Sequence, residues 1–219
     1  MLVLLILLGA FAAAGVAITL GRLAIERLQI TLHRQEQLAV SFVLGSGIWS
    51  FIVFVLCTVH VIYKGVLIGL AAAIVLYGWK KGFHRLQGEA FPPLPIIWKR
   101  LLTAVAAVFG VLYLAHAMAP EVSPDGAAYH LGLVGQYYRA RGFLPITTNI
   151  YASLSQAMEM LFMLPFAIGR HSAAAMSHLT FLFALPWLIL SYGRRINQPA
   201  AGAFAAILIF CAQIGRAHV

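Results

Sequence analysis

The stretch LLTAVAAVFGVLYLAHAMA, residues 101–119, decides the fold of this chain. It contains no Asp, Glu, Lys or Arg, and about 20 apolar residues suffice for a helix to cross the hydrocarbon of a bilayer. Soon after it comes Ser123-Pro124-Asp125-Gly126, in which Asp125 is the sole aspartate of the protein. An aspartate that occurs once in the chain, at the mouth of a membrane helix, is poorly explained by solubility and indicates chemistry at the bilayer surface.

The composition places the whole chain in the membrane class. Of its 219 residues 62% are hydrophobic and 10% are charged, and the mean hydropathy is +0.91. The net charge of +9 comes from Lys and Arg in short loops, where it indicates topology. No basic run is interleaved with aromatic residues, so no nucleic-acid partner is predicted. Cys57 and Cys211 lie in apolar stretches and predict neither a disulfide nor a metal cluster.

Further apolar segments have the length of a membrane span. The predicted spans are 2–20, 39–60, 62–78, 101–119, 173–192 and 199–213. The polar segment 21–38 is expected to form a short cytoplasmic helix, and Gly65-xxx-Gly69 has a spacing typical of close helix packing. Loop 79–100 is the most basic, so the positive-inside rule places it in the cytoplasm. This puts the N-terminus and the loop 120–172 outside.

Residues 151–169 are apolar enough to suggest one more span. That span would leave Arg194 and Arg195 outside and would bury Gln156 and Glu159 in hydrocarbon, where an acid costs about 2.5–3.5 kcal/mol. An amphipathic helix on the outer interface removes both conflicts. The predicted fold class is therefore all-α: a polytopic transmembrane bundle with two interfacial helices in the first large outer loop.

The outer loop holds the candidate site. Ser123-Pro124-Asp125 predicts the start of a helix that ends at Gly142, and the capping box Ser153 to Gln156 predicts the start of a second helix. Asp125 is the candidate catalytic residue; alternatively it only gains about 0.3–1 kcal/mol from the helix dipole. Asp125 and Tyr129 are expected to share a face, and His130 to point away from Asp125. Outside a binding role, Glu159 is expected to be an interfacial polar residue or a partner of Arg139 or Arg141. The candidate binding residues are Tyr129, His130, Gln136, Arg139, Arg141, Asn149 and Glu159.

Three stretches of the chain resemble a known family. Asp125-Gly126-Ala127-Ala128-Tyr129-His130-Leu131, the segment from Asn149 to Leu161 and the polar loop 32–38 are similar to bacterial multi-pass glycosyltransferases of the GT-C fold. Those enzymes are related to the lipopolysaccharide and protein-mannosyl transferase group. The resemblance extends over roughly residues 20–213.

The resemblance implies transfer of a sugar from a polyprenyl-phosphate donor to an acceptor glycan, lipid or protein, at the outer face of the bacterial inner membrane. It makes Asp125 the acid that takes the acceptor proton or helps to hold a divalent metal. Many relatives carry a second acid where this chain has Gly126. Arg139 or Arg141 would stabilise the leaving phosphate.

The implied organisation has three parts. Residues 1–99 form N-terminal membrane helices with the basic loop, and residues 100–213 form the first part of a GT-C-like module. Residues 214–219 read as translated sequencing adaptor, so the natural protein is expected to continue and the fragment to be inactive. Two alternatives stay open: a polytopic transporter or flippase, and a non-catalytic membrane scaffold.

Overall fold

The computed structural model describes residues 2–119 and 126–212, apart from the side chains of residues 127 and 128. Every regular element in these ranges is helical. A π-helical turn (Gly126–His130) precedes the fifth α-helix, and a 3-10 turn (Ile150–Ser153) precedes the sixth. The α-helices are α1 (Leu2–Arg27), α2 (Gln37–Thr58), α3 (Lys64–Lys80), α4 (Ile96–Met118), α5 (Leu131–Ala140), α6 (Ala157–Arg195) and α7 (Pro199–Ala212).

Within the described part of the chain, 4 helices are long and apolar enough to cross a membrane: α1, α2, α4 and α6. The chain is a multi-pass membrane protein, and the predicted all-α bundle is confirmed. Helix α3 has 17 residues, about 25 Å of helix, and most of its surface is exposed. The α-helix at the predicted last span, α7, is 14 residues long.

Helices α1 and α2 approach each other at backbone distance. A Cβ added to Gly21 would lie 1.8 Å from the Ser41 carbonyl oxygen, and one added to Gly45 would lie 1.7 Å from the Ala17 carbonyl oxygen. Small residues spaced by four on each helix make such an approach possible. At Gly65 and Gly69 of α3, by contrast, an added Cβ meets nothing within 4 Å. The predicted close packing at this pair is therefore wrong within the described structure.

Helix α6 is broken in its first half. Gly169 (φ −129°, ψ 17°) and Arg170 (φ 62°, ψ −150°) are non-helical and separate residues 157–168 from residues 171–195. A Cβ on Gly169 would lie 2.7 Å from the Leu5 carbonyl oxygen, near the start of α1, whereas Arg195 hydrogen-bonds Glu36, beyond the end of α1. Residues 171–195 therefore run the full length of α1, as expected for the returning span.

The first half of α6 differs from the predicted amphipathic helix in two respects. It starts at Ala157, and its N-cap residue Gln156 makes no side-chain capping bond, so the predicted start at Ser153 is wrong. Residues 159–167 are all buried, chiefly among α1, α2 and α5, and show no exposed polar face. The polar residue Glu159 is accommodated because a partner from another segment meets it inside the protein.

The end of the bundle that carries Glu36 is closed by two loops, residues 28–36 and 81–95. Segment 21–38 does not form the predicted separate helix: α1 continues to Arg27 and then stops, with Gln29 in the left-handed region (φ 53°) and a bond from Ile30 N–H to the Ile25 carbonyl. Side-chain amides of the first loop region bind the backbone of the second, as in the bond from Phe91 N–H to Gln35 Oε1 (2.9 Å).

Glu36 fixes helix α6 to this closed end. Arg195 Nε donates to both carboxylate oxygens, at 2.9 and 3.1 Å, and the backbone N–H of His33 donates to Oε1 at 2.7 Å. Burial by itself would raise the pKa of Glu36, but the hydrogen bonds and positive charge of Arg195 and His33 outweigh it and hold the pKa below its ordinary value. Glu36 is therefore ionised at neutral pH and ties the α1–α2 loop to α6.

Candidate functional site

The candidate catalytic residue, Asp125, lies outside the described residues, as do Ser123 and Pro124; the description resumes at Gly126. From there the chain forms a π-helical turn to His130 and continues as α5. Hydrogen bonds of a π-helix join residues five apart. The four-residue spacing that predicted a shared face therefore does not hold over 126–130, and the relation of Asp125 to Tyr129 stays a prediction.

Helix α5 ends at Ala140, one residue earlier than predicted. Arg141 takes the left-handed conformation (φ 62°), although Gly142 was expected in that role. Glycine is required at 142 for a different reason: an added Cβ would lie 2.4 Å from His60 Nδ1 and 2.6 Å from the Cys57 carbonyl oxygen. The end of α5 is thus pressed against the α2–α3 turn, at the opposite end of α2 from Glu36.

His130 and Glu159 meet in this part of the structure. His130 Nδ1 lies 2.6 Å from Glu159 Oε1. The glutamate side chain is 2% exposed and the histidine side chain 39% exposed. The expected pairing of Glu159 with Arg139 or Arg141 is not what the structure shows, because the start of α6 is buried beside the turn that carries His130.

Of the other predicted residues, Tyr129 lies against the His130 ring, and Asn149 is linked to Tyr129 through Tyr151. The Tyr129 ring lies 4.1 Å from the His130 ring and stacks on the Tyr151 ring at 4.8 Å, centroid to centroid. Asn149 Oδ1 accepts the Tyr151 N–H at 3.1 Å and so caps the 3-10 turn that holds Tyr151 in place. Tyr129, His130, Asn149 and Glu159, chosen from sequence, are thus brought together by three separate segments.

The other predicted residues point elsewhere. The Arg141 guanidinium lies 4.5 Å from the centre of the Tyr63 ring and donates to its hydroxyl at 3.0 Å, at the α2–α3 turn. Arg139 is exposed on α5 with its guanidinium beside Gly135. Gln136 is half-buried on the same helix. None of these three joins the group around His130 through a described contact.

A cavity of about 730 Å³ lies between α2 and the segment 152–161. Its walls are mainly apolar, and from α2 they include Val43, Gly47, Phe51 and Phe54. This spacing of three and four residues marks one face of a helix. That periodic face, with a glycine leaving space in it, was the signal in the sequence that could have located the cavity.

Gln156 closes one part of the cavity wall. Its Nε2 donates to the carbonyls of Tyr151 (3.1 Å) and Leu154 (3.2 Å), and its side chain is largely buried. Ser50 of α2 donates to the carbonyl of Ala157 at 2.7 Å. The Ser50 bond holds the start of α6 against α2, and the Gln156 bonds fix the fold of the segment before it. This region therefore both forms a wall of the cavity and carries Glu159 to His130.

Among residues 2–119 and 126–212, no group of three His, Cys, Asp or Glu side chains is placed to hold a metal ion. His130 and Glu159 alone supply two ligand atoms to a cation, fewer than protein metal sites use. The described residues therefore give no independent support to a metal centre.

No protein-family model, no curated protein and no solved structure matches this chain.

Proposed function

We propose that the chain belongs to a membrane glycosyltransferase of the GT-C type, which transfers a sugar from a polyprenyl-phosphate donor to an acceptor at the outer face of the bacterial inner membrane. One observation carries the proposal: segment 149–161 contributes both to the polar group around His130 and to the wall of the apolar cavity. A lipid-linked sugar has the same two parts, a polar headgroup and an apolar tail.

The charge distribution supports an outer position for this group. Glu36, Arg195 and the basic loop 79–100 lie at one end of α2, and Gly142 contacts the turn at its other end. Because cytoplasmic loops carry the excess of Lys and Arg, the basic end is assigned to the cytoplasm. The polar group around His130 is then assigned to the outer half of the protein.

The cavity supports a lipid substrate. Its aromatic and aliphatic walls offer no charged side chain among the described lining residues, and its volume suits part of an isoprenoid chain. Exposed apolar residues such as Phe51 lie at its edge on α2, so it opens on a surface that faces lipid. A donor tail entering from the bilayer would leave its phosphate near the outer end of the bundle.

The chemistry assigned to Asp125 is that of a general base. Attack of an acceptor hydroxyl on the anomeric carbon forms the new glycosidic bond, breaks the bond to the donor phosphate and delivers the hydroxyl proton to the carboxylate. The decisive experiment is Asp125→Asn in the full-length protein, with transfer of radiolabelled sugar from a polyprenyl-phosphate donor as the readout. We expect a loss of about a hundredfold or more.

Glu89→Gln, in the cytoplasmic loop, is the matched control for loss of one carboxylate, and it should leave transfer unchanged. Transfer near the wild-type rate in Asp125→Asn would remove the catalytic assignment of Asp125.

A transporter or flippase is the second candidate, and the break in α6 favours it. Interrupted membrane helices are typical of transporters, and Gly169 and Arg170 interrupt α6. The distinguishing measurement is movement of a fluorescent polyprenyl phosphate across proteoliposome membranes. Movement without any sugar transfer would establish the second candidate in place of the first.

A further inference from the structure

Glu159 is a buried acid that packing does not explain. Its side chain is 2% exposed, and Met160, Leu161 and Phe162, which follow it, are buried apolar residues. Removing a carboxylate from water is costly unless a counter-charge and hydrogen bonds compensate it. The polar partner that the structure provides is His130, with Nδ1 at 2.6 Å from Oε1.

This contact fixes the orientation of the His130 ring. A histidine whose Nδ1 is bound by a carboxylate presents Nε2 at the far edge of the ring, and the bound nitrogen determines which protons the ring carries. The Tyr129 ring, whose centre lies 4.1 Å from that of the His130 ring, restricts rotation of the imidazole. His130 is also the accessible member of the pair, since 39% of its side chain is exposed.

Two arginines near this end of the bundle, Arg141 and Arg170, are engaged with other groups. Arg141 binds the hydroxyl and the ring of Tyr63. Arg170 lies 5.8 Å from the centre of the Phe166 ring, at the break in α6. Neither has a carboxylate partner among its described contacts, whereas His130 is held in place by a buried one.

We propose that His130, positioned by Glu159, is the cation that binds the phosphate of the lipid-linked substrate. The Nε2–H of the imidazolium donates a hydrogen bond to a phosphate oxygen, and the Glu159 carboxylate compensates the positive charge when the site is empty. His130 contacts the substrate; Glu159 acts through His130 and is a positioning residue. The inference rests on the proposed function, because it takes a polyprenyl phosphate as the ligand.

The test compares two lipids that differ only in the phosphate. Binding of undecaprenyl phosphate and of undecaprenol is measured with the full-length protein in phosphatidylcholine nanodiscs, for wild type, His130→Gln and Glu159→Gln. Loss of a charge-assisted hydrogen bond is expected to lower the preference for the phosphate roughly tenfold or more in both variants. Binding of undecaprenol should not change, and it reports that each variant is folded.

His171→Gln is the matched control, because His171 is an exposed histidine on the same helix as Glu159 and packs edge-on to Phe166 at 5.2 Å. Its preference for the phosphate should equal that of the wild type. An unchanged preference in His130→Gln would overturn the inference. Equal competition by phosphatidylglycerol would assign the site to bilayer headgroups and overturn the donor assignment.

Failure of the proposed function gives a different result. In that case the wild-type protein transfers no sugar, while the His130→Gln variant still shows a weaker preference for undecaprenyl phosphate than the wild type. Intact sugar transfer with a preference that His130→Gln does not alter would instead refute the role of His130 and leave the transferase proposal standing.

Discussion

Replacing Gly45 with alanine is expected to force α1 and α2 apart. The new Cβ would lie 1.7 Å from the Ala17 carbonyl oxygen and 2.6 Å from the Gly21 nitrogen, whereas real Cβ contacts essentially never fall below 3.0 Å. Both neighbouring atoms belong to the backbone, so no side-chain rotation can relieve the clash. The helices must therefore separate by more than about 1 Å, which loses much of the dispersion energy between them. Overpacking costs about 1–3 kcal/mol, and we expect a loss near 3 kcal/mol.

Gly47→Ala is the matched control on the same helix, because an added Cβ there meets nothing within 4 Å. Alanine is intrinsically better than glycine in a helix by up to about 1 kcal/mol, so this variant should unfold no more easily than the wild type. The assay is equilibrium unfolding of the purified protein in mixed micelles with increasing dodecyl sulfate. Equal unfolding free energies for the two variants would refute the backbone contact between α1 and α2.

Three further outcomes are expected. Glu36→Gln should lower the free energy of unfolding by only about 1 kcal/mol at pH 7, because Arg195 is partly exposed. Since the pKa of Glu36 is below its ordinary value of 4.5, the wild type should lose this advantage only as the pH falls below that value. Thermal melting in detergent at several pH values checks this. Ser41→Ala should preserve or raise the melting temperature, because the buried Ser41 hydroxyl has no partner among the described residues. Gly47→Trp should fill the cavity and raise the KM for a long-chain donor about tenfold, whereas Gly65→Trp, also unobstructed but outside the cavity lining, should not.

Hydropathy predicted the helices well but not where they end. The first span was predicted as 2–20 and α1 runs to Arg27; the second was predicted as 39–60 and α2 is Gln37–Thr58. Hydropathy reports which residues tolerate lipid, whereas a helix continues until its backbone is terminated. In α1 that termination is a left-handed Gln29, a residue without the glycine signature on which such predictions depend.

Packing partners were harder to predict than the helices themselves. The two glycines of the GxxxG spacing in α3 have no neighbouring helix within contact distance. The close approach of α1 and α2 instead brings Gly21 of α1 against Ser41 of α2, and Gly45 of α2 against Ala17 of α1. A small-residue spacing indicates that a helix can be approached closely, but not whether another helix arrives there. That depends on loop lengths and on the neighbouring surfaces, which a single spacing does not contain.

At the candidate site, residue types were predictable and pairings were not. Tyr129, His130, Asn149 and Glu159 were selected as polar residues in an apolar chain, and the structure gathers them. The partner of Glu159 was missed because the start of α6 was expected at the interface, whereas it is buried beside the π-helical turn that carries His130. Single π turns recur at functional sites, and they alter which side chains share a face.

The buried pair of His130 and Glu159 is better explained by function than by stability. Replacing a buried ion pair with apolar residues of similar volume is often neutral or stabilising, by up to about 4 kcal/mol. A helix needed only to fill the bundle between α1 and α2 would be served by leucine at position 159, as it is at 161 and 164. The carboxylate instead reaches a half-exposed histidine five residues beyond Asp125. Such an arrangement holds an imidazole ring in a fixed orientation against a carboxylate, which the proposed phosphate ligand requires and a packing interface does not.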